Sequence, residues 1–362
     1  MELDPKNDGK LLNMENDEIR MIFSAFNYVP SFALRATMLL GIPDILAMSK
    51  EPMTAENIVQ RLPCKNPAAA AGYLKRIMDI LIVPGIYSRS LVSTADGKSH
   101  EAAYGLTPVS RLLVKDDVQF TLRPIALLHS NQFFSVGFQH LHESLLEDRS
   151  PMEMAFGKTF YELHAERPEI SSVFQDAMTC YSKYWMNVIV HEYDGFKNTK
   201  TLVDVGGGEG ESINHLVAAY PHIHGINFDL PDVIKNAPPI PGVDHVGGNF
   251  FQSIPSGDTI FLKMVLHNNG DEECLMILKS CYEALPERRG KVVIGEHVLD
   301  DDSTDDDVQF LNTLDLIMLS VFLKGRERSF EAYKVLLTSC GFLDCKLVKL
   351  SRGVTLIEAY KH

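Results

Sequence analysis

The chain has one tryptophan, no pair of cysteines at C-x-x-C spacing, no cluster of basic residues and no apolar run long enough to span a bilayer. Each shortage excludes something. Without an apolar run of about 20 residues, a membrane-spanning helix is not expected. Six cysteines, Cys64, Cys180, Cys274, Cys281, Cys340 and Cys345, are scattered, which suits reduced thiols in a cytoplasmic enzyme rather than a disulfide framework or a zinc site. With 34 Lys and Arg against 48 Asp and Glu, the formal net charge of -14 repels a phosphate backbone and argues against nucleic acid as a partner. His129, His140, His164, His222 and His245 show no metal-ligand spacing, so no metal site is expected.

What is there reads as two domains. Residues 1–18 are polar and acidic and read as a mobile leader rather than a signal peptide. From 18 to about 48 the chain is apolar on most faces, so a helix there must be buried by its own core or by a second subunit. Thr54 caps a short helix, 68–83 is a second, and 86–106 reads as a hairpin turning at Ala95-Asp96-Gly97. Helix, helix and β-wing over 19–110 form a winged-helix pattern. Lacking a basic recognition helix, it points to a dimerisation and substrate-lid module rather than a DNA reader. Residues 111–362 form the second domain, helical to about 190 and then α/β, doubly wound and Rossmann-like, from about 198. Its strands are expected at 201–205, 223–229, 244–246, 259–266, 291–296, 346–350 and 355–360. The acidic run 300–307 is expected to be a solvated loop, since no second acidic motif converges with it.

The sharpest motif is Thr201-Leu-Val-Asp204-Val-Gly206-Gly207-Gly208-Glu209-Gly210, a strand entering a glycine turn with a helix behind it. Glycines Gly206 and Gly208 let the backbone approach a ligand, and Asp229, closing the next strand, is placed to accept ribose hydroxyls. NAD and S-adenosylmethionine (SAM) both fit that geometry. Glu209 and Glu211 at the mouth of the helix decide between them, because carboxylates repel a pyrophosphate and suit a sulfonium and an α-amino group.

With those residues in hand, the chain resembles the plant SAM-dependent phenolic O-methyltransferases of the caffeate/5-hydroxyferulate branch. The resemblance rests on Val-Asp-Val-Gly-Gly-Gly from Val203, Gly-Ile-Asn-Phe-Asp-Leu-Pro from Gly225, Pro-Gly-Val-Asp-His-Val-Gly-Gly from Pro241, and Leu266-His267. It covers nearly the whole chain. It implies SAM as methyl donor, no metal, a small phenolic substrate, and a homodimer in which each N-terminal module helps wall the partner's site. It also implies a cofactor set of Gly206, Gly208, Asp229, Leu230, Asn249, Phe250 and Lys263. His267 matches the family's general base, Glu296 and Glu327 its flanking carboxylates, and Met178, with the positions of His129 and Phe322, the phenol pocket.

The chemistry of those residues agrees. A phenol is a poor nucleophile until deprotonated, and an imidazole poised near neutrality is a suitable base. His267 and Glu296 fall at the ends of successive strand candidates, on the carboxyl edge where α/β ligands bind. Without the resemblance, Glu327 in Gly325-Arg-Glu-Arg would read as a solvated loop charge. The chain departs from the family pattern at Glu209, Asn249, Asn268, Asn269 and Phe322. Asn249 stands where a carboxylate is usual and Asn269 where a tryptophan is usual, so weaker cofactor binding is expected. The departures also leave room for two other functions: a methyltransferase-like fold repurposed for cyclisation or decarboxylation, with SAM as a structural element, or a silent partner subunit.

Overall fold

In the computed structural model, residues 17–94, 97–115, 120–299 and 304–361 are described. Most of the leader, the turn residues Ala95 and Asp96, and residues 300–303 of the acidic run lie outside them. Twelve strands are present among these residues: β1 Met53–Thr54, β2 Tyr87–Ser93, β3 His100–Leu106, β4 Thr201–Val205, β5 His224–Asp229, β6 Val243–Gly247, β7 Thr259–Lys263, β8 Lys291–Gly295, β9 Val298–Leu299, β10 Arg328–Ser329, β11 Leu343–Lys349 and β12 Thr355–Tyr360. Chain contacts divide the molecule into two units, Met1–Asn131 and Gln132–His362.

The first unit packs short helices against a three-stranded sheet ordered β1-β3-β2. Residues 18–48 form three helices, not one: Asp17–Ala25, Tyr28–Leu39 and Ile42–Ala47. The last break falls at Gly41, whose φ of 69° is left-handed and favours glycine. The first helix has no buried residue, and Met21, Ile22, Phe26, Tyr28 and Phe32 are all exposed. The first helix is thus not covered by the chain's own core, whereas Met38, Ile42 and Leu46 further along the segment are buried in it. Residues 111–131, assigned from the sequence to the second domain, go with the first unit. Arg123 there is buried, donates to Met38 O and pairs with Asp44 at 2.6 Å, while Arg35 donates to Leu127 O at 2.9 Å.

The second unit is built on a seven-stranded sheet ordered β11-β12-β8-β7-β4-β5-β6, in which only β12 runs against the rest. Its inner strands are apolar on both sides because helices cover both faces. Val203, Ile260, Leu262, Val292 and Ile357 pack under helices Asp271–Ala284 and Phe330–Ser339. Leu202, Phe261, Val293 and Leu356 face Pro168–Glu192 and Glu211–Ala219. Truncating a residue such as Phe261, fully buried, costs about 3–5 kcal/mol. The chain order reverses between β4 and β7, so the crevice at their carboxyl ends is the topological switch point where such sheets bind ligands.

Two expectations are corrected. The strand drawn over 259–266 ends at Lys263, because Met264 takes a φ of 56° and Leu266–Asn268 form a 3-10 turn. The end of the acidic run is not a loop: Thr304 and Asp307 form a capping box, and Asp305–Val321 is a helix. Three acids in its first turn complement the helix dipole.

Candidate active site

The glycine turn leaves β4 with Gly206, Gly208 and Gly210 at φ of 71°, 59° and 93°. Gly207 is constrained by space instead: a Cβ there would lie 2.2 Å from Asn227 Oδ1 and 2.8 Å from Asp204 Oδ2. Asp229 closes β5 and ties the turn down, accepting from Gly208 N at 2.8 Å and Leu230 N at 2.7 Å. Each of its oxygens keeps a further lone pair for a ligand hydroxyl. Asn227, buried in the middle of β5, donates to Gly208 O at 2.9 Å and bonds His245 Nδ1 at 3.1 Å. His245 Nε2 in turn meets Pro238 O at 2.9 Å, so this histidine braces the turn.

Around this turn lie the other cofactor candidates. Leu230 is half exposed, and Phe250 is half-buried with its ring 4.7 Å from Phe251. Asn249 Oδ1 accepts from Phe251 N at 2.9 Å, so part of its capacity goes to shaping its own turn. Burial pulls the Lys263 ammonium below its ordinary value, against the charges of Asp204 and Glu296. Burial pushes Asp204, beneath the turn, up to about 7, with Lys263 acting the other way. The glycine-lined turn with Asp229 beside it fits a cationic adenosyl cofactor, while Glu211 is already paired with His215 at 3.1 Å.

The kink at Met264 brings three successive amides round to one carboxylate. Val265 N, Leu266 N and His267 N donate to Glu296 Oε1 at 3.0, 2.8 and 3.3 Å. Glu296 directly follows β8 and is fully buried. His267 Nδ1 donates to Glu327 Oε1 at 2.9 Å and lies 3.6 Å from Glu296 Oε2. With Nδ1 held between two carboxylates, Nε2 is the nitrogen left to act on a substrate. Burial alone would lower the His267 pKa. The charge of Glu296, and the hydrogen bond and charge of Glu327, outweigh it and raise the imidazole above 6.5, with Lys263 opposing. Burial also raises Glu296, against the charge of His267.

Glu327 is held by residues the sequence did not single out. Its amide donates to Asp315 Oδ1 at 2.8 Å, and the neighbouring Arg326 N donates to His267 O at 2.7 Å. Buried Arg328 bonds Leu266 O, Asn269 O and Asp271, stapling the Glu327 loop to the His267 turn. A Cβ on Gly325 would come 2.9 Å from His267 O, so close approach fixes that glycine. The one signal in the sequence was the charge-dense Arg326-Glu327-Arg328, which reads equally as a solvated loop.

Of the phenol-pocket candidates, Phe322 sits in an aromatic cluster, 5.6 Å from the rings of Phe160 and Tyr161. Met178 is half-buried on helix Pro168–Glu192, one turn before Tyr181, which feels the charge of Glu327. His129 ends helix Arg123–His129 in the first unit, whereas every other candidate lies in the second.

A sheet of this order, with a glycine turn and terminal acid at its switch point and a carboxylate-held histidine beside them, defines a cofactor-dependent α/β transferase. The O-methyltransferase domain family matches residues 138–343, and the O-methyltransferase dimerisation domain matches 23–116. Caffeic acid 3-O-methyltransferase of Prunus dulcis is 38% identical over 91% of this chain and 90% of its own length. (R,S)-reticuline 7-O-methyltransferase of Papaver somniferum is 36% identical over 92% of this chain and 94% of its own. Human N-acetylserotonin methyltransferase, solved with SAM, superimposes at a TM-score of 0.80 and 21% identity, covering 97% of this chain and 99% of that one. The chain belongs to the O-methyltransferase family: it is a SAM-dependent enzyme with a dimerisation domain, and it acts as a homodimer.

Proposed function

We propose that the protein methylates a phenolic hydroxyl of a small aromatic plant-type metabolite, with His267 as general base. The observation that carries this reading is the imidazole pinned through Nδ1 by Glu327 at 2.9 Å, at the carboxyl edge of the parallel sheet. Bound SAM supplies the electrophilic methyl group. Gly206, Gly208, Asp229, Leu230, Asn249, Phe250 and Lys263 hold it. His267 Nε2 takes the phenolic proton, and Glu327 and Glu296 stabilise the imidazolium that results. Orienting the phenol is worth up to about 7–11 kcal/mol when geometry is well held. The aromatic cluster around Phe322, together with Met178, suits a flat ring. No metal ion takes part in this reading. Among the described residues no helix is long and apolar enough to cross a membrane, and the six free cysteines suit the reducing cytoplasm.

The test is transfer of labelled methyl from SAM to a panel of phenols, by the native chain and by His267→Gln. Incorporation that falls by orders of magnitude in the variant supports the reading. Binding of SAM without incorporation across the panel overturns it in favour of a non-methylating reaction.

A further inference from the structure

Arg328 lies against the His267 turn with 2% of its side chain exposed. A guanidinium at that depth is costly unless its N–H groups find acceptors, and here all five do. Nε donates to Asp271 Oδ1 at 3.1 Å, and Nη2 donates to the same oxygen at 2.9 Å and to Asn269 O at 2.7 Å. Nη1 donates to Leu266 O at 3.2 Å and to Arg326 O at 3.3 Å. Those last two acceptors are the carbonyls that lead directly into His267 and Glu327. One nitrogen thus holds both segments by the peptide units from which the imidazole and the carboxylate project. Arg326 N, donating to His267 O at 2.7 Å, closes the pair from the other side. The backbone of Arg328 is fixed as well, paired with Val298 in the β9–β10 ladder just past Glu296. Arg123 in the first unit, also buried, differs in leaving its Nε without a partner.

We propose that Arg328 is a positioning residue that sets the separation of His267 and Glu327, with Asp271 holding its guanidinium in register. The inference rests on His267 being the general base. Nδ1 and Oε1 meet at 2.9 Å only while the turn and the Glu327 loop keep their spacing, and the two carbonyls on Nη1 are where that spacing is fixed. Lysine cannot take this place. Its ammonium is a point charge on a flexible stem, without the planar fork that meets carbonyls and a carboxylate at once. A misplacement of about 1 Å at the reacting groups costs about 10²-fold in rate, so the role is felt in turnover before it is felt in binding.

The experiment follows the Nδ1 proton of His267 by NMR in the full-length homodimer, assigned by its loss in His267→Gln, and measures kcat and calorimetric SAM affinity alongside. Held against Glu327, that proton resonates far downfield and is protected from exchange. Arg328→Lys is expected to move it upfield or lose it to solvent, and to lower kcat about 10²-fold while SAM affinity changes much less. Asp271→Asn keeps an acceptor for the guanidinium and removes its charge at a half-exposed site. The same proton is expected to shift there too, with kcat falling about 3–10-fold. A purely packing role would lower the melting temperature and leave the proton where it is. A native Nδ1 resonance in the folded variants therefore overturns the proposal, whatever happens to kcat. If Arg328→Lys does not fold, Asp271→Asn decides alone. A displaced proton with kcat unchanged upholds the positioning role and counts instead against His267 as the base.

Discussion

Around His267 the charges are buried and fixed by many partners: Glu296 gathers three backbone amides, and Glu327 is anchored through Asp315 and the Arg328 staple. Around the glycine turn Asp229 and Asn249 are half-buried, and both already spend acceptors on neighbouring amides. The first arrangement makes a site that tolerates change poorly, since removing one member leaves an uncompensated buried charge. The second makes an affinity that is adjustable, because half-exposed groups trade hydrogen bonds with water at little net cost. Departures from the family pattern touch both: Glu209 and Asn249 lie at and near the glycine turn and Asn268 and Asn269 directly follow the base, while His267, Glu296 and Glu327 keep the family's residues.

The contrast is tested most severely by His267→Gln, expected to lower kcat by about 10²–10⁴ while calorimetric SAM affinity stays near native. A proportionate loss of SAM binding would merge the two halves. Glu327→Gln keeps an acceptor for Nδ1 but removes the charge. Turnover is expected to fall by roughly 10–100-fold, with the acid limb moving to lower pH as the imidazole loses a stabilising anion. In the native enzyme that limb is expected above pH 6.5: the raised His267 is protonated and inactive below its own pKa, and activity grows as pH rises through it. On the cofactor side, Gly207→Ala drives a Cβ into Asn227 and Asp204. About 1–3 kcal/mol of overpacking there should weaken SAM roughly 5–150-fold, with KM for the phenol moving less. The smallest effect is expected of Asn249→Asp, which restores a charged acceptor and should tighten SAM about 3–10-fold. Unchanged affinity would mean that Asn249 Oδ1 serves only its own turn.

How much of this was legible in the sequence follows the same line. Strands β4, β5, β8 and β12 and the glycine turn could be placed to within a residue, because apolar runs ending in glycine and aspartate encode them locally. The end of β7 was misread because Val265 and Leu266 are apolar and extend the pattern. What turns the chain at Met264 is Glu296, a partner some 30 residues away that no local propensity records. Glu327 was found by resemblance alone, since the buried Arg328 that fixes it looks in sequence like any surface arginine. Thr304 and Asp307 carried a capping-box spacing in plain sight, which the density of neighbouring acids obscured.

The exposed apolar row of Met21, Ile22, Phe26, Tyr28 and Phe32 has a further consequence in time rather than space. It leaves the ribosome first, whereas the sheet cannot close until β12, near the end of the chain, is made. Synthesis of everything from Gln132 onward takes about 10–50 s at 5–20 residues per second. For that interval each growing chain displays its adhesive face with no finished enzyme behind it. Apolar surface left uncovered for that long is prone to aggregate, so the delay between making the face and finishing the enzyme is a hazard that pairing removes.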